Sequence, residues 1–311
     1  MVAFAACARG PSTIDRDRAA ALFTRVELDT GGVHGLSGLA VDADGTLWTV
    51  AERGAAAFAI TLDGGRATAV RYPIEGVPDG EDLEAVAIAA RGFASRVEDP
   101  SGPDPTGEGL ATGPPDSTDG LWVGTEGRER GVARVFALVR DGARLVVTGA
   151  PIELRPDEVG VDVGANHGAE GVCAVGDVVA IALETAGQDA RGRWAPVVVI
   201  DRVRGTRVVH RVRLSSATGK LSALDCWRDG ETLRAMAIER HFEVTRVLRF
   251  TLDAAAVEIT PMVALDLGPV LRGTLNLEGL ARLPDGRMVA VVDNQYRSIT
   301  GPDELLVFAA P

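Results

Sequence analysis

Five short phrases place an acid or a hydroxyl between an apolar residue and a glycine or alanine: Leu36-Ser37-Gly38, Leu83-Glu84-Ala85, Ala169-Glu170-Gly171, Leu221-Ser222-Ala223 and Leu277-Glu278-Gly279. Each is followed by an apolar run that ends in an acid, at Glu52, Glu126, Glu184, Glu239 and Asp293. These eight carboxylates are hard oxygen donors and potential general bases. With no histidine or cysteine cage around them, they suit calcium rather than zinc. Gathered in one place they need compensation, because two like charges ~4 Å apart repel by roughly 1 kcal/mol in water and about 4 kcal/mol at an effective dielectric near 20. Arg53, Arg128 and Arg240 follow their acids by one or two residues, and Asn166, His167, Asn276 and Asn294 lie beside them. A plainer role is open for each set: a first-run glutamate can accept N–H bonds from a neighbouring loop, and a second-run acid can pair with an arginine.

The phrases recur as a self-similar unit, and a period of about 40–50 residues is the mark of a propeller blade. Asp44-Gly45, Asp229-Gly230 and Asp285-Gly286 mark tight turns between the first and second runs. Two more strands follow in most repeats, as at Val132 to Val139 and Leu145 to Glu153. The unit is a four-stranded antiparallel blade, and the fold expected is an all-β β-propeller of five such blades, with six as the alternative. Gly38, Ala85, Gly171, Ala223 and Gly279 are small where the blades converge. The last repeat lacks an outer strand, which Leu22 to Leu28 is expected to supply, closing the ring. The innermost strand leaves one face of a blade and the second returns to it, so the eight acids should share one mouth of the central channel. A Pro-, Gly- and Asp-rich stretch at about 94–119 reads as a loop inserted between the first two strands of blade two. The chain then divides into a tail over 1–20 and a single propeller domain over 21–311.

A net charge of −12 argues against binding the phosphate backbone of nucleic acid. No run of about 18 apolar residues is present to make a membrane-spanning helix. Phe4-Ala5-Ala6-Cys7 resembles the end of a bacterial lipoprotein signal, so a lipid anchor at Cys7 is expected, with an untidy terminus as the alternative. Cys173 and Cys226 sit in apolar runs without a CxxC partner and read as small core residues. Neither a Gly-x-Ser-x-Gly elbow nor a Ser–His–Asp order can be read, which argues against a triad hydrolase.

Gly35-Leu36-Ser37-Gly38-Leu39-Ala40-Val41-Asp42, Asp82-Leu83-Glu84-Ala85-Val86-Ala87, Gly168-Ala169-Glu170-Gly171-Val172, Leu277-Glu278-Gly279-Leu280 and Val292-Asp293-Asn294 together resemble the bacterial phytase-like family, described by its esterase-like activity. The resemblance implies a secreted or cell-envelope protein and a calcium-dependent phosphoesterase-like or esterase-like hydrolase acting on a small anionic substrate. Ser37 and Ser222 depart from the glutamate pattern, and Lys220 is the one lysine, which argues against a polyanionic substrate. On this reading Glu52, Glu126, Glu184, Glu239 and Asp293 are the catalytic acids and bases. Arg53, Arg128, Arg240, His167 and Asn294 bind substrate, and Glu84, Glu170, Glu278 and Asn276 hold the metal. The competing reading is a non-catalytic envelope module whose acidic mouth binds a cation or a cationic partner, and on either reading a monomer is expected.

Overall fold

The computed structural model describes residues 22–63, 65–88, 120–127, 131–164, 167–241, 244–271, 276–293 and 303–311. It opens with β1 (Thr24–Asp29). Blade one is β2 (Leu36–Val41), β3 (Leu47–Ala51), β4 (Ala56–Asp63) and β5 (Arg66–Glu75). Blade two is β6 (Glu81–Ile88), β7 (Leu121–Gly127), β8 (Ala133–Asp141) and β9 (Arg144–Leu154). Blade three is β10 (Ala169–Val175), β11 (Val178–Leu183), the short β12 (Gly187–Asp189), β13 (Gly192–Asp201) and β14 (Thr206–Arg213). Blade four is β15 (Lys220–Asp229), β16 (Thr232–His241), β17 (Val244–Leu252), the two-residue β18 (Glu258–Ile259) and β19 (Met262–Asp266). Blade five is β20 (Asn276–Arg282), β21 (Met288–Asp293) and β22 (Asp303–Phe308).

The fold is a β-propeller, and β1 closes it. β1 pairs antiparallel with β22, Leu28 opposite Asp303, as the fourth strand of blade five. It also makes a short parallel ladder with β5, Leu28 beside Ala67, which ties the last blade to the first. This closure buries two edges that would otherwise template association.

Strand position explains the residue patterns. β11 lies between neighbours on both sides and all six of its residues are buried, as continuous apolar runs require. β1 lies outside and alternates, with Val26 and Leu28 inward and Arg25 and Glu27 outward. Five buried apolar clusters are found among the described residues, and each lies between two consecutive blades. Leu36, Leu47 and Phe58, for example, meet Val289 and Leu305 across the closing seam. Convergence at the axis demands small residues. A Cβ on Gly38 would sit 2.4 Å from the backbone nitrogen of Val86, and one on Gly279 would sit 2.6 Å from the backbone of Gly38.

Cys173 and Cys226 correct the sequence reading: they are buried, but they are joined by a disulfide between β10 and β15, across 53 residues. Closing a loop of that length contributes about 4 kcal/mol in the chain-entropy account. The pairing depends on the angle between blades three and four, which neither local run encodes. Residues 1–20, with Cys7, and the inserted stretch at 94–119 lie outside the described residues.

Candidate functional site

A β-bulge aims the first-run acids. In blade two Leu83 pairs with Thr125 and Ala85 with Gly124, so Glu84 has no partner opposite. Glu170, Ser222 and Glu278 take the same bulged place in their blades. A bulge bends its strand and redirects the extra side chain, here onto the axis. Glu84, Glu170 and Glu278 are 6%, 3% and 4% exposed. The neck lined by Gly38, Ala85, Gly171, Ala223 and Gly279, with Glu170 in its wall, has no room for a water molecule.

The serines at the equivalent positions do different work. Ser37 Oγ donates to the carbonyl oxygen of Glu84 at 2.5 Å, and Ser222 Oγ to that of Leu277 at 2.9 Å. Each staples its blade to the next one.

The acids separate into two groups by partner. Glu278 is held by Arg240, whose Nε is 3.1 Å from Oε2 and whose Nη2 bonds Oε1. Asn276 Nδ2 bridges Glu278 Oε1 at 2.7 Å and Asp293 Oδ2 at 2.9 Å. Glu184 contacts Lys220 Nζ. Glu239, fully buried, accepts the N–H groups of Ser215 and Ser216 at 2.9 and 3.0 Å and bonds from both hydroxyls. Its place is therefore that of a loop anchor, the plainer role expected of the first-run glutamates, where an arginine pair was expected for a second-run acid.

Glu84, Glu126 and Glu170 form the other group. Burial, then the charges of Glu170 and Glu52, push the Glu84 carboxyl well above its ordinary range. Burial and Glu278 do the same to Glu170, against the pull of Arg240 and Lys220. Glu126 is also raised by burial, with Lys220 and a hydrogen bond to Glu84 pulling back; that bond needs a proton on one of the two. Oε1 of Glu126 is buried with no hydrogen-bond partner. Arg53 and His167 are exposed, while Arg128, Asn166 and Asn294 lie outside the described residues.

The donor set fits a hard divalent cation in chemistry: oxygen ligands, surplus negative charge and an orphaned buried oxygen. Among the described residues no three acids already stand as a ligand cluster, so an ion would have to draw Glu84, Glu126 and Glu170 together.

The family described as phytase-like, esterase-like activity of phytase, matches residues 31–296. The chain belongs to the phytase-like family. No curated protein matches this phytase-like chain. Among solved structures it is similar to the PQQ-bound aldose sugar dehydrogenase of Streptomyces coelicolor, at 13% identity and TM-score 0.47, over 90% of this chain and 95% of that one. It is also similar to the apo aldose sugar dehydrogenase of Escherichia coli, at 11% and 0.45, over 90% and 97%. A luciferin-regenerating enzyme matches at 12% and 0.45, over 93% and 81%.

Sequence reasoning noted Lys220 only as an argument against a polyanionic substrate and passed over Arg193 and the Ser215–Ser216 turn, which lie against the site through Gly219 and Glu239. The one available signal was that Lys220 is the single lysine in the chain.

Proposed function

We propose that this phytase-like propeller is a hydrolase that cleaves a phosphoester or carboxylic ester of a small anionic substrate at the acidic mouth, with calcium as cofactor. The observation that carries the reading is the partnerless buried Oε1 of Glu126 beside Glu84 and Glu170, two carboxyls held far above their ordinary range. Glu84, Glu126 and Glu170 would hold the ion, which supplies polarisation of the ester oxygen and a water of lowered pKa. Arg240, fixed by Glu278, and Lys220, fixed by Glu184, present positive charge to the anion. Asn276 holds Glu278 and Asp293 in place, so Arg240 is preorganised rather than mobile. Glu52, near enough to raise the Glu84 carboxyl, is the base that takes the proton of the attacking water. A secreted or cell-envelope setting is part of the proposal, because a disulfide such as Cys173–Cys226 persists in oxidising compartments.

The test couples metal analysis to a panel of phosphate-ester, ester and lactone substrates. Calcium-dependent turnover of one class is expected, falling roughly 10²-fold or more in Glu126→Gln. Calcium binding without turnover on any class would leave the envelope binding module as the function. Absence of both would make the acids structural.

A further inference from the structure

A histidine occupies a core position of β14. His210 stands opposite Val197 of β13, on the strand face it shares with Val208 and Val212, and is 1% exposed. A polar ring in such a place is costly unless its nitrogens are bonded. Nδ1 lies 2.7 Å from the carbonyl oxygen of Ala256, in the turn that follows β17. A carbonyl only accepts, so Nδ1 carries the proton. Burial holds the affinity of the ring for a second proton below the ordinary histidine range, with the Ala256 carbonyl and Asp253 pulling the other way. The ring is neutral at pH 7, and its remaining lone pair is on Nε2. Among the described residues no group donates to that atom.

His210 lines a cavity of about 430 Å³ between blades three and four. The walls are aliphatic, with Val178, Val199 and Val208 from blade three and Leu233 and Leu252 from blade four. Val178 begins β11 and Leu233 lies at the start of β16. Both strands run toward acids of the mouth, Glu184 and Glu239, so the cavity lies toward the opposite face. Its rim is polar. Arg204 Nη1 donates to Asp201 Oδ2 at 3.2 Å, and Arg228 Nη1 to the Glu231 carbonyl at 3.4 Å. The carboxylates of Asp201, Glu231 and Asp253 outnumber these two guanidiniums, so nothing there favours an anion. Apolar walls with one placed polar atom, in a volume of this size, are the makings of a small-molecule site.

We propose that this cavity binds a small uncharged aromatic alcohol, one or two rings in size, whose hydroxyl donates to His210 Nε2. The aliphatic walls bury the ring system, and a charged group among them would lose its hydration without recompense. A phenolic hydroxyl, more acidic than an aliphatic one, is the stronger donor to an imidazole lone pair. Ala256 acts through His210, because its carbonyl fixes both the tautomer and the direction of Nε2. The inference goes beyond the hydrolase reading and uses none of its residues.

The full chain, labelled with 15N and held in chelator at pH 7, is titrated with 2-naphthol while its histidine ring nitrogens are followed by NMR. A parallel titration uses 2-methoxynaphthalene, an ether of similar shape that lacks the donor. The four histidines are told apart with His34→Gln, His167→Gln and His241→Gln, none of which lines the cavity. Free His210 should show the Nδ1–H tautomer. 2-Naphthol should move its Nε2 resonance along a saturating curve, and the ether should bind about tenfold or more weakly, since it leaves a buried acceptor unmet. His210→Leu, which returns an apolar side chain to a core position, should fold and bind the two compounds alike. An Nε2–H tautomer in the free protein, an Nε2 resonance that 2-naphthol leaves in place, or equal affinity of wild type for alcohol and ether would overturn the proposal. Those wild-type readings decide it whether or not the variant folds. Because chelator is present throughout, failure here leaves the calcium-dependent hydrolase standing, and an inactive mouth leaves this cavity standing.

Discussion

The same five inner strands build both ends of the axis, and they build them from opposite chemistries. At the mouth, bulges turn Glu84, Glu170 and Glu278 inward beside a closed neck. At the far end the regular continuation of those strands lines a cavity of about 330 Å³ with Leu39, Ala87, Val172, Leu224 and Trp227, beside the Cys173–Cys226 disulfide. One acid, Asp225, is present there, raised to about 7 by burial, with Arg282 and two backbone N–H groups opposing. Both ends therefore hold carboxyls above their ordinary range for different reasons. Crowding of like charge adds to burial at the mouth and is absent at the far end. A device that relieves crowding should act on one end alone.

The largest effect expected is at the far end. Replacing Cys173 and Cys226 by alanine should lower stability to urea by about 4 kcal/mol while leaving any calcium-induced rise in melting temperature intact. Loss of that rise would mean the disulfide shapes the mouth as well.

Arg240→Met comes next. It leaves the Glu278 carboxylate buried without its bidentate partner, a loss of roughly 3–5 kcal/mol. The loss should shrink as pH falls, because protonated Glu278 needs no counter-charge. A pH-independent loss would point to packing of the guanidinium instead.

Glu170→Gln gives a smaller shift whose sign separates charge from packing. Folded Glu170 titrates above its unfolded value, so its charge destabilises the protein above the raised pKa, and the penalty fades as pH falls through that value toward ~4.3. The variant should melt at or above wild type at pH 8 in chelator and lose that advantage near pH 4.5. Millimolar calcium should raise wild type more than the variant. Equal destabilisation in both buffers would assign Glu170 to packing.

Asp225→Asn tests the far end, where burial acts without crowding. With the folded carboxyl at about 7, a gain in melting temperature is expected at pH 8 and none near pH 4. Calcium should leave the difference untouched, and carboxyl NMR should titrate with a midpoint near 7.

Much of this was legible because blades repeat. The phrase around Glu84, Glu170 and Glu278 marks every first strand, and the acid ending each second strand follows from a strand returning to the mouth it left. The Leu22 to Leu28 closure was legible from the missing outer strand alone, and β1 lies on β22 as expected. The departures at Ser37 and Ser222 became intelligible only when each hydroxyl was seen to reach a carbonyl of the following blade.

Alternation and period are local properties of a chain, so the sequence by itself determined the blade, the acids and the mouth that gathers them. Which acid meets which partner is a property of the angle between blades. Arg240 of blade four reaches Glu278 of blade five, Lys220 reaches back to Glu184 of blade three, and Cys173 finds Cys226 across the same seam. Those pairings decide which carboxylates are already neutralised and which remain buried with charge to spare. Only the tertiary structure could separate them, because residues far apart in the chain become neighbours when the blades pack around one axis.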